Sequence, residues 1–175
     1  MTIAETLLQE LEEESKATRR VLERVPADKL GFKPHEKSWT LGQLALHLAQ
    51  LPGGIANLSA MSAAQAPQFN QGSCKTAAEL VPALEASLSR AREVLGGASD
   101  AELMADWVLM DGDQEIWRTP RVALLRTLML NHTYHHRGQL TVYLRELNVP
   151  IPSIYGPSAD ENPFAQPAAK ATGAA

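Results

Sequence analysis

Cysteine is almost missing from this chain: Cys74 stands alone among 175 residues. An internal disulfide is therefore excluded, and the usage suits a reducing cytoplasm, the expected location. Nothing beside Cys74 in sequence supplies a general base, so it reads as a small residue near a helix start. An excess of basic residues is also missing. Sixteen Lys and Arg against 20 Asp and Glu give a net charge of −4, which argues against non-specific nucleic-acid binding. No apolar run approaches the roughly 20 residues of a membrane span. The opening "MTIAETLLQELEEESKATRR" is acidic and amphipathic, unlike a signal or transit peptide. No internal repeat is visible. What remains is ordinary globular material, 45% hydrophobic and 21% charged, enough for one domain with a real core. That domain is expected over residues 1–164, followed by a flexible small-residue tail at 165–175.

Apolar residues recur at helical spacing in four long segments. The first, over residues 2–25, carries Leu7, Leu11, Thr18, Leu22 and Val25 on one stripe, and Pro26 and Pro34 bracket the loop after it. The second opens at a Thr40–Gln43 capping box and carries Leu44, Leu48, Leu51, Ile55, Leu58 and Ser62. Its phase survives Pro52, Gly53 and Gly54, which predicts one kinked helix. "QAPQFNQGSCK" reads as a loop. The third starts at a Thr76–Glu79 box, carries Leu80, Leu84, Leu88, Ala91 and Leu95, and stops at Gly96-Gly97. "SDAE" at 99–102 opens a short helical turn, and Asp111-Gly112 between two β-prone runs predicts a hairpin. Thr119-Pro120 reads as cap and first turn of the fourth helix, whose stripe is Val122, Leu125, Met129, His132, His136, Gln139 or Leu140, Tyr143 and Leu147. The expected fold is all-α: a four-helix bundle with a small β-hairpin-like insertion between helices 3 and 4.

The fourth stripe raises a chemical question, because two of its seam residues are histidines. His132 and His136 are separated by about 40° in azimuth and about 6 Å along a helix axis, so both rings can reach one metal ion. His47 lies among Leu44, Leu48 and Leu51 on the inward face of the second helix. Three buried imidazoles without partners would cost a few kcal/mol. Spacing alone leaves a shared metal and three separately hydrogen-bonded histidines equally supported. His35 sits in the Pro-containing loop and is expected in solvent. His135 is about 100° around from His136 and reads as a surface or interface residue. Competing bundle chemistries are disfavoured: ferritin-like di-iron sites use Glu-x-x-His with further glutamates, and zincins need H-E-x-x-H, whereas Thr133 follows His132. Three imidazoles with no committed carboxylate suggest one divalent ion with open positions.

The residues also resemble a known family. From "LLQELEEESKATRRVLERVPADKLGFKPHEKSWTLGQLALHLAQLPG" through "LNHTYHHRGQL" to "VPIPSIYGPSADE", the chain is similar to the DinB-like family, a helical-bundle superfamily that includes thiol S-transferases. Its ordered motifs are a histidine on the second helix, then H-x-x-x-H-R-G-Q on the fourth. The resemblance implies an up-down-down-up bundle, often a homodimer, with metal ligands on His47, His132 and His136. It leaves the ion open among zinc, nickel, iron and manganese. Many members carry a bulky aromatic after "LPG", where this chain has Gly54.

Neighbouring residues have their own readings. Gly138 is expected to let a neighbouring helix approach. Gln139 is either a core amide or a reach toward a metal-bound water or substrate. Arg137 points away from the seam as a surface or inter-helix partner, and Tyr143 belongs to the core. Tyr155 and Asp160 match the family's terminal motif, with Asp160 either orienting a ligand histidine or shaping a turn. The resemblance implies a metal-dependent thiol S-transferase acting on small electrophiles; a metal-dependent hydrolase and a non-catalytic, stress-associated metal-binding protein are the alternatives. Neither nucleic acid nor membrane is an expected partner.

Overall fold

The structure, a computed structural model, describes residues 1–66 and 71–165. Helix α1, Ile3–Leu22, begins at a reciprocal capping box between Thr2 and Glu5. Its expected stripe Leu7, Leu11, Thr18 and Leu22 is buried, as is Val25 just beyond its end. Thr18 is tolerated there because its hydroxyl donates back to the Glu14 carbonyl. Helix α2, Leu41–Ala60, opens at the Thr40–Gln43 box and runs through Pro52 as one helix. Gly53 beside it donates its N–H to Ser87 Oγ at 2.8 Å. A Cβ at Gly53 would stand 2.7 Å from the Ser87 carbonyl oxygen, so only glycine lets α2 lie this close to the next helix. That helix, α3 (Leu80–Gly96), follows a 3-10 turn at Ala77–Glu79 carrying the Thr76–Glu79 box. Its five stripe residues are all at most 2% exposed. A short α4, Asp100–Met104, opens at a Ser99–Glu102 box.

The region between α3 and the last helices forms a hairpin of β2 (Asp106–Asp111) and β3 (Gln114–Pro120), with Gly112 at φ 57° in the turn. A third strand, β1 (Ala63–Gln65), lies parallel to β2, in the order β1-β2-β3. The all-α expectation is thereby corrected to a helix-dominated fold with a small three-stranded sheet. Three residues are too few to show alternation, so Gln65 read as the start of a loop. Residues 67–70 of that loop, and 166–175 of the expected tail, lie outside the described residues.

The fourth helical segment is less regular than its stripe predicts. Thr119 and Pro120 finish β3, where Thr119 pairs with Trp107, and Pro120 caps without a side-chain bond. The helix is instead launched by the Arg121 N–H, which donates to the Ala105 carbonyl at 3.0 Å. One turn of α-helix, α5 (Arg121–Leu124), widens into a π-helix at Leu125–Asn131 before α6 (His132–Glu146). The His132 N–H reaches five residues back, to Thr127. The wider turn serves two cores. Leu125, Met129 and Leu130 face the main core of α1, α2 and α3, while Leu124 joins Ala64 and Trp107 under the sheet.

Candidate metal centre

α2 brings His47 to the inner face one turn before its proline, and the first two turns of α6 bring His132 and His136 opposite it. The three rings stand with centroids 4.4–5.4 Å apart, and one ligand nitrogen from each lies within 4.8 Å of the others. His136 is 8% exposed and the other two are half-buried. The three histidines singled out in the sequence thus meet as one cluster, positioned to hold a metal ion.

The protons can be assigned from the partners. Gln71 donates through Nε2 to the Gly72 carbonyl at 3.1 Å, so its Oε1 is the atom facing His47. His47 Nδ1 must donate to that oxygen at 3.0 Å, leaving a bare lone pair on Nε2. His136 Nδ1 likewise donates to Gln139 Oε1 at 2.7 Å, so its Nε2 also carries a lone pair. His132 Nε2 lies 2.6 Å from His136 Nε2 and donates to it. Among the described residues two buried atoms then lack any partner, His47 Nε2 and His132 Nδ1. Such orphans are rare in folded proteins. The donor set fits a divalent ion: three imidazoles, two of them already held in the tautomer that presents Nε2.

Electrostatics agree with the geometry. Burial, reinforced by its imidazole neighbour His136, holds His47 down to about 4. Burial likewise lowers His136 to about 4, against the opposing pull of Gln139. His132 is lowered by burial and by His47 and His135. All three are neutral at pH 7, the form a metal requires.

Two residues of this site were not found in the sequence. Gln71 comes from the segment between β1 and α3, 24 positions from its partner, and no spacing rule reaches that far. Trp39 stands just before the α2 cap, stacked on His136 at 5.8 Å and edge-on to His47 at 5.0 Å. Tyr143, a core residue as expected, fixes it by donating to the Trp39 carbonyl at 3.1 Å. Beside these residues a cleft of about 250 Å³ opens to solvent, lined by Lys37, Ser38, Trp39, His136 and Gln139. A larger hollow of about 320 Å³ lies far from the histidines, where the Arg121 guanidinium is already spent on the carbonyls of Ser59 and Glu102.

The remaining readings divide. His35 and His135 are exposed. Gln139 is neither a core amide nor free, since it orients His136. Asp160 orients no histidine; it pairs with Arg145 and accepts from the Ile151 N–H. Arg137 is an inter-helix partner but no surface residue, at 1% exposure. Gly138 makes no close approach, since a Cβ there would meet nothing within 4 Å. Gly54 faces a groove between α2 and α3, away from the cleft, so Trp39 supplies the aromatic wall.

Relatives place this geometry in a family. The DinB family model matches residues 1–167. The protein YrdA of Bacillus subtilis (strain 168) is 27% identical over 154 residues, covering 88% of this chain and 89% of its own. A DinB-like protein from Bacillus cereus ATCC 10987 superposes with a TM-score of 0.67 at 23% identity, over 86% of this chain and 97% of that one. The DinB-like protein YjoA of Bacillus subtilis gives 0.65 at 21%, over 85% and 96%. These superpositions concern the fold; the family match spans the helices, the sheet and all three histidines, and the chain belongs to the DinB family.

Proposed function

We propose that this protein is a metal-dependent thiol S-transferase for small electrophiles, acting in a reducing cytoplasm as a homodimer whose long helical segments run up-down-down-up. The observation that carries the reading is the cluster itself: three neutral imidazoles from two helices, no carboxylate among them, beside an open cleft. His47, His132 and His136 would hold one zinc, nickel, iron or manganese ion. When bound, such an ion supplies positive charge that lowers the pKa of a neighbouring thiol toward neutrality.

The chain's own residues do the rest. Gln71 and Gln139 fix the rings of His47 and His136 and keep their Nε2 lone pairs inward. His132 gives up or relocates the Nε2 proton it now shares with His136. Trp39 stacks on His136 and covers that side of the ring, and a less polar surrounding strengthens the charge interactions beside it. The chain's own thiol is not placed to act: Cys74 is buried under α2, donates to the Gly42 carbonyl, and is pushed up by burial and by Glu79. The nucleophile is therefore a substrate thiol. Its sulfur bonds to an electrophilic carbon, the leaving group departs with the bonding pair, and the thiol proton passes to solvent.

Metal-loaded protein incubated with several low-molecular-weight thiols and a panel of alkyl and aryl electrophiles should yield the S-conjugate, and His132→Ala protein should not. Hydrolysed electrophile without conjugate would replace this reading with a hydrolase using activated water. No turnover on any pair would leave a metal-binding protein without catalysis.

A further inference from the structure

The cleft beside the histidines is asymmetric in charge. Among the described residues Lys37 is the sole formally charged one lining it, and no carboxylate faces it, in a chain whose net charge is −4. Lys37, like Lys33 and Lys75, enters no ion pair among the described residues, and of these three it alone lines the cleft. Trp39 presents a ring along the wall, and the Ser38, Gln139 and Tyr143 side chains stand around it.

We propose that this cleft is a binding site for a small anion with a flat, unsaturated body: the negative group meets Lys37 at the mouth, and the body lies against Trp39. The inference deepens the reading of the histidine cluster, on which it rests for the cleft's purpose, by assigning the charge and shape of the molecule that enters. A pocket of about 250 Å³ falls below the roughly 300–1,000 Å³ of sites for drug-sized ligands, so the occupant is compact. A positive mouth on an acidic protein focuses the local field on anions. Trp39 supplies contact area at low entropic cost, its backbone being tied to Tyr143.

The test uses the full chain, with and without zinc, and two probes of one shape: benzoate and benzamide. Binding is read as the fluorescence change that is absent in Trp39→Phe, since Trp107 and Trp117 also emit. Benzoate should bind roughly five- to tenfold more tightly than benzamide. Lys37→Met should erase that preference without changing zinc content, and Lys37→Arg should restore it. Equal binding of the two probes, or a benzoate preference that survives Lys37→Met, overturns the assignment; the latter result would mean that the anion sits on the metal alone. Zinc content is measured separately by equilibrium dialysis. Lys37-dependent benzoate binding in a protein that takes up no zinc keeps the cleft and removes the metal reading. Zinc uptake with no benzoate binding does the reverse.

Discussion

Arg137 follows His136 directly in the chain, yet the two belong to polar clusters of opposite character. The guanidinium is as buried as a core leucine and nearly every donor is used. It reaches the Glu14 carbonyl at 2.9 Å, the Glu14 carboxylate at 2.6 Å, Thr18 Oγ1 at 3.3 Å and the Tyr155 hydroxyl, with the rings of Tyr134 and Tyr155 against its faces. The imidazoles, one residue away, leave two buried nitrogens unpaired among the described residues. A satisfied buried network ties elements together; an unsatisfied one costs stability unless a ligand completes it. The same turn of α6 thus carries a clamp to α1 on one side and an open coordination set on the other. The clamp sets the rotation of α6, and so the direction in which His132 and His136 point.

Breaking each cluster in turn should separate the two roles. The largest effect is expected on metal content: His132→Ala, His136→Ala and His47→Leu should each lose most of the bound ion, near one per chain in the parent, whereas His35→Ala should retain it. Metal-free His47→Leu should melt no lower than the metal-free parent, because it removes an imidazole that burial already penalises. Elemental analysis and thermal melts check both halves; equal metal in all four variants would eliminate the site.

The clamp should behave the opposite way. Arg137→Met leaves the Glu14 carboxylate without its buried partner, so a loss of about 3–5 kcal/mol is expected. At this chain length that is a drop in Tm on the order of 10 °C. It should appear with or without metal. A variant that melts like the parent would mean that α1 and α6 are held by apolar packing alone.

Acid should sharpen the contrast further. His47 and His136 are held down to about 4 in the fold and return to about 6.5 when unfolded. Above 6.5 both states are neutral and the stability is intact. Between 6.5 and 4 the unfolded chain takes up protons that the fold refuses, so metal-free protein loses stability as pH falls through that window. A loss on the order of 2–3 kcal/mol is expected, below the full linkage value because His47 is partly solvated. Melts of His47→Leu/His136→Leu protein across the same range should be flatter. Added metal should raise Tm at pH 7.5 and lose that effect toward pH 5, as protons compete for the imidazoles.

A gentler break removes only the glutamines. Gln71→Ala and Gln139→Ala free Nδ1 of one ligand ring each, and a 10- to 100-fold weaker metal Kd is expected for each. Isothermal titration would show it. Unchanged affinity would mean that packing against Trp39 alone orients the rings.

These residues also mark what could be read from the chain. The stripes of α1, α2 and α3, the caps at Thr40 and Thr76, and the His132–His136 pair follow from spacing and type, because helix periodicity is local; that His47 joins the pair rested on the family resemblance. Gln71 and Trp39 did not show, since they reach the cluster from loops whose course no periodicity encodes. The π-helix at Leu125–Asn131 was equally silent: it preserves an apolar spacing that an α-helix would give, while turning Leu124 toward the sheet. Arg137 was half legible. Its place off the histidine seam was clear, but its burial depends on α1 lying over it with Glu14, a tertiary fact.

Gly138 provides the last and smallest test, because it sits between the two clusters without joining either. It occupies the interior of α6, is exposed, and a Cβ there would meet nothing within 4 Å. Helix interiors favour Ala over Gly by roughly 0.5–1 kcal/mol, mostly through the lost freedom of the unfolded chain. Gly138→Ala should therefore raise Tm by about 1–4 °C and leave metal content and affinity unchanged. Gly53→Ala is the matched control: its Cβ would press on the Ser87 backbone at 2.7–3.0 Å, so it should destabilise instead. If Gly138→Ala lowered stability or weakened metal binding, the open face beside His135 and Gln139 would have to be covered in solution. A covering surface there, such as a second copy of the chain, would then make glycine necessary at a position where the single chain does not need it.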